Sequence, residues 1–199
     1  MLAVNIVCVG DVDSEVVDFV SAGLAQDLEA TVTGLDPVAL PRETYDPHRR
    51  QYSSTGILQS LQGVESLRSL RGLKPPSPEP PPGEKASEPV LPVLPVLLAI
   101  TSVDLFVPEL NFVFGEAHPS ESSCIISLAR LGYSYQGAPV PRNVLLERAL
   151  KEAIHEIGHV LGLGHCGRRT CVMFFSNSIR DTDTKLRAFC PSCLRRLTP

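Results

Sequence analysis

The sequence predicts one α/β (α+β) domain built on a mixed, twisted sheet with backing helices. Three observations predict it: a strand, helix, strand succession at the start, short apolar runs bounded by Pro, Gly and Ser further on, and one long helical repeat of apolar residues after them. At 199 residues the chain is long enough to enclose a core without disulfides. Hydrophobic residues at 43% and charged residues at 20% are the proportions of a globular chain, not a disordered one. A formal net charge of -4 offers no basic field to nucleic acid or an anionic membrane. No run of about 18 apolar residues occurs, so no membrane span is expected. The apolar opening lacks a positive stretch and runs into Asp11, Asp13 and Glu15, which reads as a strand and points to the cytoplasm.

Element by element, residues 3–9 are expected as a buried strand. Val16, Val17, Val20, Leu24 and Leu28 recur at helical spacing over Ser14–Glu29, and Thr31–Leu35 is the next strand. Pro37–Arg50 breaks into loop chemistry. Ile57, Leu58, Leu61, Val64, Leu67 and Leu70 then predict a second helix ending near Gly72. Residues 75–95 hold nine prolines, which withhold backbone donors and favour an extended loop. Val96–Val103, Leu110–Phe114 and Ile125–Leu128 are the next expected strands. Beyond the turn at Gly137–Pro141, Val144, Leu146, Ala149, Leu150, Ala153, Ile154, Ile157, Val160 and Leu161 predict one long buried helix that stops at Gly162.

That helix carries the chemistry. His155, Glu156 and His159 form the H-E-x-x-H pattern, and residues four apart share one helical face. Both imidazoles can therefore bind one ion while Glu156, one step round, reaches its water as general base. Gly162 allows a left-handed turn that doubles the chain back and presents His165 as a third ligand. Three histidines and a water complete a catalytic zinc site. Gly162, Gly164 and Gly167 also satisfy G-x-G-x-x-G, but this run closes a helix instead of opening one, so no dinucleotide site is expected. His48 and His118 lack ligand spacing and are expected at the solvated surface.

Four of the six cysteines crowd the last 34 residues. Cys166 with Cys171, and Cys190 with Cys193, have the spacing of paired thiolates on a structural zinc, in preference to two disulfides. Cys8 and Cys124 sit in apolar strand-like runs and are expected as small buried hydrophobes.

The combined string of His155, Glu156, His159, Gly162, His165, Cys166, Cys171, Met173, Cys190 and Cys193 resembles the archaemetzincins, a family of small metzincin-type metallopeptidases. Arg50–Ser54, Asn111–Gly115 and Leu128–Leu131 are similar to it as well, so the resemblance covers nearly the whole chain except the proline-rich segment. It implies His155, His159 and His165 as catalytic zinc ligands, Glu156 as base, Met173 as the Met-turn residue beneath the site, and a second zinc on the four cysteines. It implies a metzincin-like fold: an upper sheet and helices, an active-site helix, and a small zinc-stapled C-terminal part. It also implies that the strand two before the active-site helix holds the substrate by its edge, here Asn111, Phe112, Val113 and Phe114.

The expected organisation is a single metallopeptidase domain over residues 1–199, with a proline-rich loop at 75–95, an N-terminal subdomain at 1–162 that includes the active-site helix, and a C-terminal subdomain at 163–199. The expected function is a cytoplasmic zinc peptidase with two zinc ions per chain. It acts as a monomer on a peptide or protein substrate, with no nucleic-acid or membrane partner. The rival is a non-enzymatic zinc module that contacts nucleic acid or protein through the cysteine-rich region, where Arg180, Lys185, Arg187, Arg195 and Arg196 gather.

Overall fold

The computed structural model of the chain describes residues 2–64 and 95–197. Its centre is a five-stranded sheet in the order β2-β1-β5-β8-β7, from Ala3–Val9 (β1), Thr31–Gly34 (β2), Val96–Thr101 (β5), Gly115–His118 (β7) and Ser123–Ser127 (β8). Four strands run parallel, and β7 pairs antiparallel to β8 at the edge, so the sheet is mixed as expected. A smaller sheet pairs Tyr45–Asp46 (β3), Gln51–Ser53 (β4) and Leu105–Phe106 (β6).

Strand alternation divides the core in two. Val4, Ile6, Leu98, Ile100, Cys124 and Ile126 face one side, beneath helices Ser14–Asp27 (α1) and Arg142–Val160 (α3). Val7, Val9, Leu97, Ala99 and Ile125 face the other, covered by helix Ser54–Gly63 (α2) through Ile57, Leu58 and Leu61. Both leading helices begin where a side chain caps them: Asp13 accepts from the Glu15 amide at 3.0 Å, and Ser53 from the Gly56 amide at 3.1 Å. Helices Ile179–Thr184 (α4) and Pro191–Leu197 (α5) complete the chain. Among the described residues no helix is long and apolar enough to cross a membrane.

Two expectations change. Helix α2 ends at Gly63, and Leu67, Leu70 and the proline-rich stretch up to residue 94 lie outside the described residues. The expected edge strand at Asn111–Phe114 is not a strand; the edge is Gly115–His118. Side chains take two carbonyls of this stretch, while the Phe114 carbonyl accepts from the Ser127 amide at 2.8 Å, where pairing with β8 begins. Gln51 Nε2 donates to the Asn111 carbonyl at 3.0 Å and Arg49 Nη1 to the Leu110 carbonyl at 2.9 Å. Only Val113 makes a bridge, donating to the Leu105 carbonyl at 3.0 Å.

Candidate active site

Helix α3 ends as its sequence requires. Gly162 adopts a φ of +88°, where a side chain would be strained. Its N–H donates to the His159 carbonyl and that of Leu163 to the Gly158 carbonyl, both at 2.9 Å, the paired bonds of a Schellman turn. The reversal buries Leu163 and brings His165 back to the face that bears His155 and His159. One ligand atom from each of the three rings lies within 4.8 Å of the others.

The first two rings are fixed from behind. His155 Nδ1 stands 2.7 Å from the Val172 carbonyl oxygen, and His159 Nδ1 2.8 Å from that of Leu163. A carbonyl only accepts, so each Nδ1 carries the proton and each Nε2 presents a lone pair. The two Nε2 atoms are 3.1 Å apart. Lone pairs that close repel unless an electrophile lies between them, and ring orientation by a carbonyl behind is typical of metal-bound histidine. Burial pushes His155 down to about 3, against the opposing charge of Glu152, and also lowers His159 and His165. All three imidazoles are thus neutral at pH 7, the form that binds a metal. Phe175 leans on His165 with ring centroids 4.7 Å apart.

Glu156 is buried beside them. A Cβ on Gly115 would lie 2.5 Å from Glu156 Oε1 and 2.7 Å from the Ile125 carbonyl oxygen, so only glycine lets β7 come down on this carboxyl. Burial, with the charges of Glu152 and Glu116 and against that of Lys185, raises the Glu156 pKa well above the usual carboxylate value. Met173 is fully buried against the same helix: a Cβ on Gly158 would collide with its sulfur. Asn111, Phe112, Val113 and Phe114 line a cleft of about 200 Å³ with His155 and Glu156, although not as a strand.

The four C-terminal cysteines converge as well. Their sulfurs lie within 4.8 Å of one another, with Cys166 to Cys190 and Cys171 to Cys193 each at 3.8 Å, and all are free thiols. Burial raises Cys171 and Cys193, whereas the backbone N–H of Cys193 pulls Cys190 down to about 6. This is the donor set of a closed tetrahedral zinc site. The Cys166 amide donates to the Met173 carbonyl at 2.8 Å, which ties the cluster to the turn under the histidines.

Sequence reasoning missed the polar ties behind the helix. Lys185 Nζ lies 2.9 Å from Glu152 Oε1, with side chains 0% and 3% exposed. The contact is an ion pair by distance, with Nζ off the line of a good hydrogen bond. Burial would raise Glu152, but Lys185, His155 and Thr182 outweigh it and hold the carboxyl below its usual value. Arg148 binds Asp183 through Nε at 2.7 Å and Nη2 at 2.9 Å, and donates from Nη1 to the Leu131 and Tyr133 carbonyls. Arg148 and Glu152 sit seven and three residues before His155, hence on its face, and that spacing was the available signal.

The five basic residues near the cysteines are divided between core and surface. Lys185 is buried, Arg187 pairs with Asp27 at 3.2 Å, and Arg180 lies over the Tyr135 ring at 3.9 Å while remaining exposed, as do Arg195 and Arg196 on α5. His118, expected in solvent, is half-buried, with Nε2 3.0 Å from Glu116.

A mixed sheet, an H-E-x-x-H helix and a three-histidine cluster above a buried methionine define the class, a zinc metallopeptidase. A family model for Peptidase family M54 matches residues 93–199. The archaemetzincin of Pyrococcus furiosus is 36% identical over 197 residues, 96% of this chain and 90% of that one. The crystal structure of the archaemetzincin from Archaeoglobus fulgidus, complexed with malonate, has a TM-score of 0.73 at 32% identity over 98% of this chain and 99% of its own. That of a zinc-dependent peptidase from Methanocorpusculum labreanum reaches 0.79 at 28% identity, covering 98% of this chain and 100% of its own. The chain belongs to the archaemetzincin family, Peptidase family M54.

Proposed function

We propose that the chain hydrolyses peptide bonds in a peptide or protein substrate at the centre formed by His155, His159, His165 and Glu156. The observation that carries this reading is the pair of lone-pair-bearing Nε2 atoms 3.1 Å apart, each fixed by a carbonyl behind it. Zinc, when held by the three imidazoles, supplies a Lewis acid for the scissile carbonyl and acidifies a water. The chain's own residues do the rest. Glu156 accepts the water's proton on its carboxylate and later returns it to the leaving amine. Asn111–Phe114 and the adjoining edge of β7 offer backbone groups to an extended substrate.

A second zinc on Cys166, Cys171, Cys190 and Cys193 belongs to the same proposal. It would staple residues 163–199 as a C-terminal subdomain onto residues 1–162, and would steady His165 through its neighbour Cys166. Four free thiols suit a reducing compartment such as the cytoplasm. A monomer with no nucleic-acid or membrane partner completes the reading. The test is cleavage profiling on a diverse peptide library with zinc-loaded and chelated protein. Zinc-dependent cleavage is expected, and a zinc-replete protein that cleaves nothing would overturn the proposal.

A further inference from the structure

Beside His155 and Glu156 the cleft is lined by Phe112, Phe114, Phe175 and Glu152. This carboxylate is unusual in how its two oxygens are used. Oε1 takes both partners, Lys185 Nζ at 2.9 Å and Thr182 Oγ1 at 3.0 Å. Oε2 has no hydrogen-bond partner among the described residues, yet it is not sealed from solvent. On a side chain only 3% exposed that lines the cavity, an oxygen left open to solvent is placed to accept a hydrogen bond from a donor that enters there.

The surroundings indicate what that occupant is. The charged side chains in the lining are both acidic, Glu152 and Glu156. Lys185 is 0% exposed and neutralises Glu152 from behind without entering the cavity. The aromatic wall tolerates a cation, since the Arg130 guanidinium already lies 4.1 Å over the Phe112 ring. At about 200 Å³ the space suits one long side chain.

We propose that Glu152 is a specificity residue: the cavity receives the substrate side chain next to the cleaved bond, and Oε2 selects one with an apolar stem and a cationic donor at its tip, lysine or arginine. The proposal rests on the peptidase reading above. Leucine in the same place leaves Oε2 unpaired under an apolar cap, and a site built to hydrogen-bond discriminates strongly against a partner that cannot. An acidic side chain meets two carboxyl groups and is rejected.

The experiment compares matched peptides that differ only at the residues flanking the cleaved bond, carrying Lys, Gln, Leu or Glu. Native protein and Glu152→Gln are used, both zinc-loaded and with zinc counted. Lysine is expected to exceed leucine by about tenfold or more in kcat/KM, chiefly through KM, as for a charge-assisted bond in a desolvated site. In Glu152→Gln that ratio should collapse toward one. A native enzyme that handles leucine as well as lysine overturns the proposal without any variant, and glutamine equal to lysine overturns its cationic part. If Glu152→Gln loses all four substrates in equal proportion, Glu152 is a structural tie to Lys185 and the proposal is wrong. If no peptide is cleaved, the peptidase reading fails separately. Calorimetric binding of the Lys and Leu peptides to Glu156→Ala protein then decides for the cavity: tighter lysine binding supports it, equal affinities overturn it.

Discussion

Replacing Gly115 with alanine adds one methyl group in the lining of the cleft, against Glu156. The new Cβ would stand 2.5 Å from Glu156 Oε1, 2.7 Å from Glu156 Cγ and 2.7 Å from the Ile125 carbonyl oxygen. Relaxed contacts lie near 3.5–4 Å, so about 1 Å of movement is forced. Gly115 has no left-handed φ to lose, so the effect is purely steric. Ile125 is a fully buried β8 residue registered against Glu116 and cannot retreat without breaking the sheet edge. The displacement therefore falls on Glu156 and on β7. A misplacement of about 1 Å at a reacting group costs roughly 10²-fold in rate, and overpacking costs about 1–3 kcal/mol. Turnover of a peptide found by profiling should drop by that factor, with zinc content unchanged and a modestly lower thermal midpoint. Near-native turnover in Gly115→Ala would refute the claim that glycine is there to admit the Glu156 carboxyl.

Lys185→Met should lower unfolding stability by about 3–5 kcal/mol, because it strands the buried Glu152 charge; a urea titration with an unmoved midpoint contradicts the ion-pair assignment. In zinc-free protein, His155 is depressed from 6.5 to about 3, so the neutral ring contributes stability above pH 6.5 that is lost as pH falls toward 3. By linkage the loss is about 5 kcal/mol, and thermal midpoints that stay flat across that window would contradict it. Cys190→Ser should remove one zinc and slow turnover about 10–100-fold by loosening His165 through Cys166; a native zinc count of one per chain would contradict this two-site reading.

Much of the site is legible because its chemistry is written in helical spacing. His155 and His159 lie on one face with Glu156 one step round, and Gly162 announces the turn that returns His165, which the Schellman bonds bear out. Of the central sheet, β1, β5 and β8 were legible as apolar runs and β2 as the strand after the first helix, whereas β7, with the sequence Gly-Glu-Ala-His, carries no apolar run and was not expected. Asn111–Phe114 misled because alternating Phe and Val read as a strand, whereas Gln51 and Arg49, about sixty residues away, bond the Asn111 and Leu110 carbonyls. Such long-range side-chain to backbone bonds leave no local pattern. Lys185 was unreadable for a related reason: a lysine among charged neighbours looks solvated until Glu152, 33 positions earlier, is seen to share its pocket.

The central claim is that Glu156 moves the proton while the three histidines hold the metal. The most direct measurement is peptide turnover by Glu156→Ala protein with its zinc counted in the same preparation. Zinc content equal to native with hydrolysis abolished is predicted, because the imidazoles remain while proton transfer is lost. Native-like turnover in that variant would contradict the account.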